Sequence, residues 1–135
     1  MRIAFDVHGV LDTLPEYRDL LRSLYLCDHS IYIISGQPLD DEMSEFLDEY
    51  DLTNYYDHYF SIETYLLDLN KPYTDDGSGK FFGDKVWNSV KAQICHDERI
   101  DMIFDNSVTY AETFKNVNTV YSLVIEKNKS LIGLK

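Results

Sequence analysis

The chain is short of three things, and each shortage excludes a class of protein. Cysteine is one: among 135 residues there are two, Cys27 and Cys95. They are far apart and lack the short spacing of a metal site, so they read as reduced, partly buried side chains with no assigned chemistry. Positive charge is the second. Twelve Lys and Arg stand against 24 Asp and Glu, a net charge of −12, which repels a polyanion over most of the surface and argues against bulk nucleic-acid binding. A local phosphate site survives this field, because a bound divalent cation overcomes it at short range. Long apolar runs are the third. None nears membrane-spanning length, and Asp6 and His8 interrupt the first apolar stretch too early for a signal-peptide core. The expectation is a cytoplasmic protein with no membrane partner.

A phosphate-binding P-loop is missing too. Gly79-Lys80 invites that reading, but the required earlier Gly is Thr74 and the required Ser or Thr after the Lys is Phe81. No internal repeats occur, and the longest loop-like stretch is Thr74–Lys80, whose composition is that of a mobile surface segment.

What is present is a single-domain length, 44% hydrophobic residues, and an aromatic set of 11 Tyr, 7 Phe and 1 Trp. One domain over residues 1–135 is expected. Short apolar runs at Arg2–Phe5, Ile31–Ile34, about Tyr59–Ile62, Met102–Phe104 and Val120–Ile125 read as strands. Helical patterns alternate with several of them, which predicts an α/β domain: about five strands in a mostly parallel sheet with helices on both faces. Tyr17, Leu20, Leu21 and Leu24 form one stripe, and Met43, Phe46, Leu47 and Tyr50 another. Thr13 and Glu16 stand at capping-box spacing with Pro15 in the first turn. A third helix is expected from about Asp84 to His96, burying Val86, Val90 and Ile94, and a short fourth after Asn106.

In such a sheet ligands sit outside the carboxyl ends of the strands. Asp6 and His8 follow the first strand, Ser35-Gly36-Gln37 the second, and Asp105-Asn106-Ser107 the Met102–Phe104 strand, while Lys85 begins the third helix. These carboxylates, hydroxyl and ammonium suit phosphoryl transfer to a carboxylate. Asp6 would attack phosphorus, Asp105 would help hold a divalent cation, and Ser35 and Lys85 would bind the remaining oxygens. Mg²⁺ suits the donors, since it prefers oxygen and takes one or two protein carboxylates.

The series Asp6-Val7-His8-Gly9-Val10, Ile33-Ile34-Ser35-Gly36, a Lys, and Phe104-Asp105-Asn106-Ser107 resembles the four motifs of the haloacid dehalogenase-like (HAD) superfamily, over residues 1 to about 110. The resemblance implies a Rossmann-like fold of strand order 5-4-1-2-3 and an aspartyl-phosphate mechanism dependent on Mg²⁺. It makes Asp6 nucleophile and metal ligand, the main-chain carbonyl of His8 and the Asp105 carboxylate further ligands, Ser35 with Gly36 and Asn106 the phosphate-binding group, and Lys85 the charge-stabilising lysine. The substrate would be a phosphorylated small molecule or macromolecule. Two positions depart from the pattern. His8 stands where the family's phosphatases have an acid/base Asp; histidine, with an unperturbed pKa of about 6.5, can do that work, but its cationic form is disfavoured beside Mg²⁺. Asn106 stands where many members have an acid, a milder change. The 29 positions from Asp6 to Ser35 leave no room for a cap domain, and the 50 from Ser35 to Lys85 little more, so the site is open or covered by a loop.

Plainer readings stand beside these. Asp6 and Ser35 suit ordinary turns, Asp105 and Asn106 suit helix caps, Lys85 suits a solvated first turn, and Lys80 is a rival for its role. Asp101 lies roughly 13 Å from Asp105 along the strand, too far to share a ion. Tyr55, Tyr56, Tyr59, Tyr65 and Tyr73 read either as a substrate rim or as half-buried packing. At the level of function the alternatives are a catalytically impaired module that retains the metal site and binds a partner, and a phosphoacceptor receiver domain, which would need paired acids after the first strand.

Overall fold

The computed structural model describes residues 1–126; residues 127–135 of the expected domain lie outside them. Five strands form one parallel sheet: β1 (Arg2–Phe5), β2 (Ser30–Ser35), β3 (His58–Ser61), β6 (Met102–Asp105) and β7 (Val120–Leu123). They lie in the order β3-β2-β1-β6-β7, which is 5-4-1-2-3 when these five alone are counted from β7. The domain is Rossmann-like, as expected. A separate antiparallel hairpin, β4 (Thr74–Asp75) with β5 (Lys80–Phe81), occupies the stretch read as a mobile loop.

Alternation along the strands sorts the core onto two faces. Ile3, Phe5, Ile31 and Ile33 pack with Leu21 of α1 (Pro15–Leu26) and with Met43 and Leu47 of α2 (Asp41–Glu49). Ala4, Tyr32, Ile34 and Ile103 pack with Ile62 and Leu66 of α3 (Ile62–Asp68) and with Val90 and Ile94 of α5 (Val90–Asp97). The register Ile3↔Ile31, Ile3↔Met102 and Met102↔Val120 brings the carboxyl ends of four strands to one edge, with Ser35↔Ser61 level beside them. No helix of the described residues is long and apolar enough to cross a membrane.

Several local expectations are corrected. The Thr13–Glu16 capping box does not form: Thr13 donates its hydroxyl to Asp12 instead, at 2.8 Å, and Leu14 is the residue before the helix. The third strand stops at Ser61, whose hydroxyl accepts from Thr64 N–H at 2.9 Å and so starts α3, a helix the strand pattern concealed. The third helix is broken at Ser89 into α4 (Asp84–Asn88) and α5, because the Ser89 hydroxyl donates to the Val86 carbonyl at 2.9 Å and ends the first piece. Val86 is therefore exposed rather than buried. Cys27 is exposed too, while burial pushes the Cys95 thiol up to about 12.

Candidate functional site

The loop after β1 is built by one carboxylate. Asp12 accepts from Gly9 N–H at 2.7 Å and from Thr13, and its own N–H donates to the Val7 carbonyl at 3.1 Å. The resulting turn needs a left-handed residue, and Gly9 supplies it at φ +84°. A side chain there would also collide with Asn106, whose side-chain amide comes within 2.0 Å of where a Cβ would sit. Glycine lets the loops after β1 and β6 touch.

At the carboxyl edge lies a buried charge cluster. The Lys91 ammonium donates to Asp6 Oδ1 at 2.8 Å and to Asp105 Oδ2 at 2.6 Å, and all three residues are buried. Each carboxylate gives one oxygen to Lys91 and turns the other elsewhere. Asp105 Oδ1 accepts from Ser107 N–H at 3.0 Å. The Asn106 amide lies 3.2 Å from Asp6 Oδ2 and 3.0 Å from the His8 carbonyl, so its NH₂ end is the one that faces these two acceptors. Burial raises the Asp6 pKa to about 6; the Lys91 ammonium opposes this and the Asp105 charge adds to it. For Lys91 burial works downward, but the two carboxylates outweigh it and hold the ammonium above its ordinary value.

Around the cluster stand aromatic groups. The Tyr110 ring lies 5.1 Å from Lys91 Nζ, and its hydroxyl accepts from Trp87 Nε1–H at 2.9 Å. Trp87 packs on Gly36, where a Cβ would come within 3.0 Å of its ring. Ser35 is fully buried at the end of β2, with its Oγ accepting from Gln37 N–H at 3.3 Å. Burial holds the Tyr121 hydroxyl well above the usual phenol range, and the nearby Asp105 carboxylate reinforces it.

The structure thus brings together Asp6, Asp105, Asn106 and the His8 carbonyl. It leaves Lys85 exposed on α4 and out of the cluster; the lysine on the carboxylates is Lys91 of α5, which shares the buried face of that helix with Ile94 and Cys95, three and four positions on. The rival Lys80 pairs with Glu63 at 3.4 Å. The His8 imidazole is 61% exposed, with Nδ1 3.4 Å from Asp12 Oδ2. Asp105 and Asn106 are not the cap of the following helix α6 (Val108–Ala111), since Ser107 takes that role through Tyr110 N–H. Asp101 sits at the far end of β6, accepting from Arg2 N–H. Tyr55, Tyr56, Tyr59 and Tyr65 are half-buried and Tyr73 is exposed. A sequence signal for Lys91 existed: it is the one charged residue in the run Val90–Cys95, which is otherwise apolar but for Gln93.

Among the described residues no three His, Cys, Asp or Glu side chains cluster as metal ligands. The donors that could hold Mg²⁺ are instead the Asp6 and Asp105 carboxylates and the His8 main-chain carbonyl, oxygen donors of the kind that ion takes. Asp6 Oδ2 and the His8 carbonyl already converge on one small polar group, as a shared cation would require.

No family model matches the chain, and no curated protein does. A crystal structure of an uncharacterized protein from Corynebacterium glutamicum is similar, with a TM-score of 0.55 at 13% identity over 98% of this chain and 90% of that one. At that identity the likeness establishes the α/β fold.

Proposed function

We propose that the chain is a Mg²⁺-dependent phosphomonoesterase of HAD type that works through an aspartyl-phosphate on Asp6. The observation that carries this reading is the buried carboxylate of Asp6 at the end of the central strand, held by Lys91 together with Asp105. A fold has no need of two buried carboxylates on one ammonium, and such arrangements mark reaction sites. When bound, Mg²⁺ supplies positive charge to the phosphate oxygens. Asp6 is ionised above pH of about 6 and attacks phosphorus, forming an O–P bond as the bond to the leaving oxygen breaks. Lys91 balances the charge that builds on the phosphoryl oxygens, and Ser35 with Gly36 is the group proposed to bind them. Water then cleaves the acyl phosphate and restores Asp6. The proton for the leaving oxygen is the weak step, because His8 is turned toward Asp12 and solvent.

Phosphate release from a panel of phosphomonoesters tests this. Asp6→Asn abolishes it, and His8→Asp raises the rate. Activity that persists in Asp6→Asn overturns the mechanism.

The exposure of His8 favours one second reading, a binding module that keeps the metal site without turnover. Calorimetry separates the two: Mg²⁺ binding with no hydrolysis of any phosphoester selects the module.

A further inference from the structure

Beside Asp6 the surface opens into a cleft of about 300 Å³ that the phosphoryl chemistry leaves unused. Gly9 and Asn106 form the part of its wall that belongs to the site: Asn106 also bonds Asp6 Oδ2 and the His8 carbonyl. Most of the rest is aliphatic. Val108, Leu123 and Ile125 line it while remaining 68%, 39% and 57% exposed. They come from two chain segments, the start of α6 and the end of β7 with the residues just after it, so their clustering at one edge of the sheet is not a property of a single amphipathic element. Thr13 and Glu126 add a hydroxyl and a carboxylate to the lining, and no lysine or arginine is among its described residues.

We propose that this cleft receives the leaving group of the phosphoester, and that the group is uncharged and apolar, of the size of one ring or a short alkyl chain. The inference rests on the phosphohydrolase reading and extends it to a substrate class. A substrate whose phosphorus is attacked by Asp6 must place its ester oxygen and the carbon beyond it next to the site, and the cleft starts one side chain away, at Asn106. Its volume is at the small end for a ligand pocket, which excludes a bulky leaving group. Its four aliphatic side chains, Val108, Leu123, Val124 and Ile125, gain from being covered by an apolar group. Among its described residues the lining offers no cation to pair with a second phosphate or a carboxylate on the substrate, which disfavours both.

The test uses two primary alkyl esters of similar intrinsic reactivity, 3-phenylpropyl phosphate and glycerol 3-phosphate. For the full chain with Mg²⁺, kcat/KM favours the phenylpropyl ester by about tenfold or more. Val108→Asp and, independently, Ile125→Asp lower that ratio to about two or less; both side chains are exposed, so the fold tolerates the change. In parallel, 3-phenylpropanol shifts the amide resonances of Gly9, Val108, Leu123 and Ile125 without any turnover. A ratio near one in the wild type, or one that neither variant alters, overturns the cleft assignment while leaving the phosphohydrolase reading intact. Shifts at the same amides that grow with protein concentration alone assign the surface to a second copy of the chain, and overturn it also. Hydrolysis of neither ester, nor of any other in the panel, overturns the phosphohydrolase reading and this inference with it.

Discussion

The two ends of the sheet use the same residue types for opposite purposes. At the amino end, Asp101 accepts from Arg2 N–H at 2.7 Å, Asp57 accepts from Ile31 N–H at 2.8 Å, and the Arg2 guanidinium donates to the Glu98 carbonyl at 2.6 Å. Charged side chains there finish the backbone's hydrogen bonding close to water. At the carboxyl end Asp6 and Asp105 are buried, and face one ammonium. The larger cleft, about 620 Å³, lies at the amino end by Cys95, Asp101 and Thr119, yet no buried charges converge there. Size of cavity and concentration of chemistry part company in this molecule. The amino end shows what strand edges need for folding, and the carboxyl end shows a surplus that folding does not call for.

Exchanging functional groups at each end probes that contrast, and the largest effect falls on turnover. Asp6→Asn lowers phosphate release by about a thousandfold or more, while Asp101→Asn, 13 Å or so away by strand rise, leaves kcat/KM within about twofold. Comparable losses in the two variants would erase the distinction. Next comes stability. Lys91→Met strands two buried carboxylates and costs about 3–5 kcal/mol in urea denaturation, whereas Lys85→Met on the exposed α4 changes stability by about 0.5 kcal/mol or less.

The pH dependence is smaller and has a definite sign. Asp6 carries a folded-state pKa raised from 3.8 to about 6, so the folded chain holds that proton more tightly than the unfolded one. Its contribution to stability therefore falls as pH rises from about 4 through about 6, by about 3 kcal/mol at most, and is level above that. The difference between wild type and Asp6→Asn midpoints at pH 4 and pH 7 isolates it; a difference that does not change with pH refutes it. Smallest is the amino end itself: Asp101→Asn weakens a solvated hydrogen bond and costs about 1 kcal/mol.

The strands were legible because parallel strands buried on both faces read as apolar runs, and the meeting of Asp6, Asp105 and Asn106 was legible because they immediately follow such runs. Lys91 was not. A stripe through Val86, Val90 and Ile94 puts position 91 on its flank, whereas the helix buries the face that Lys91 shares with Ile94 and Cys95. A lysine on such a face reads as a solvated flank residue until its two carboxylates, 85 and 14 positions away in the chain, are brought to it by the fold. Helix α3 escaped for another reason: Ser61 ends a strand and caps a helix at once, so the two patterns overlap by one residue, and periodicity does not register the side-chain bond that separates them.

Lys91 also fixes an order of events. By lying across one oxygen of each carboxylate it is a counter-ion carried by the chain itself, so the core closes without waiting for an ion from solution. On the proposed function, folding would come first and Mg²⁺ loading second, the reverse of small domains that a metal must assemble. A chelator should then stop turnover while leaving the far-ultraviolet circular dichroism unchanged, and a chain that unfolds on chelation would show that Lys91 does not serve as that substitute.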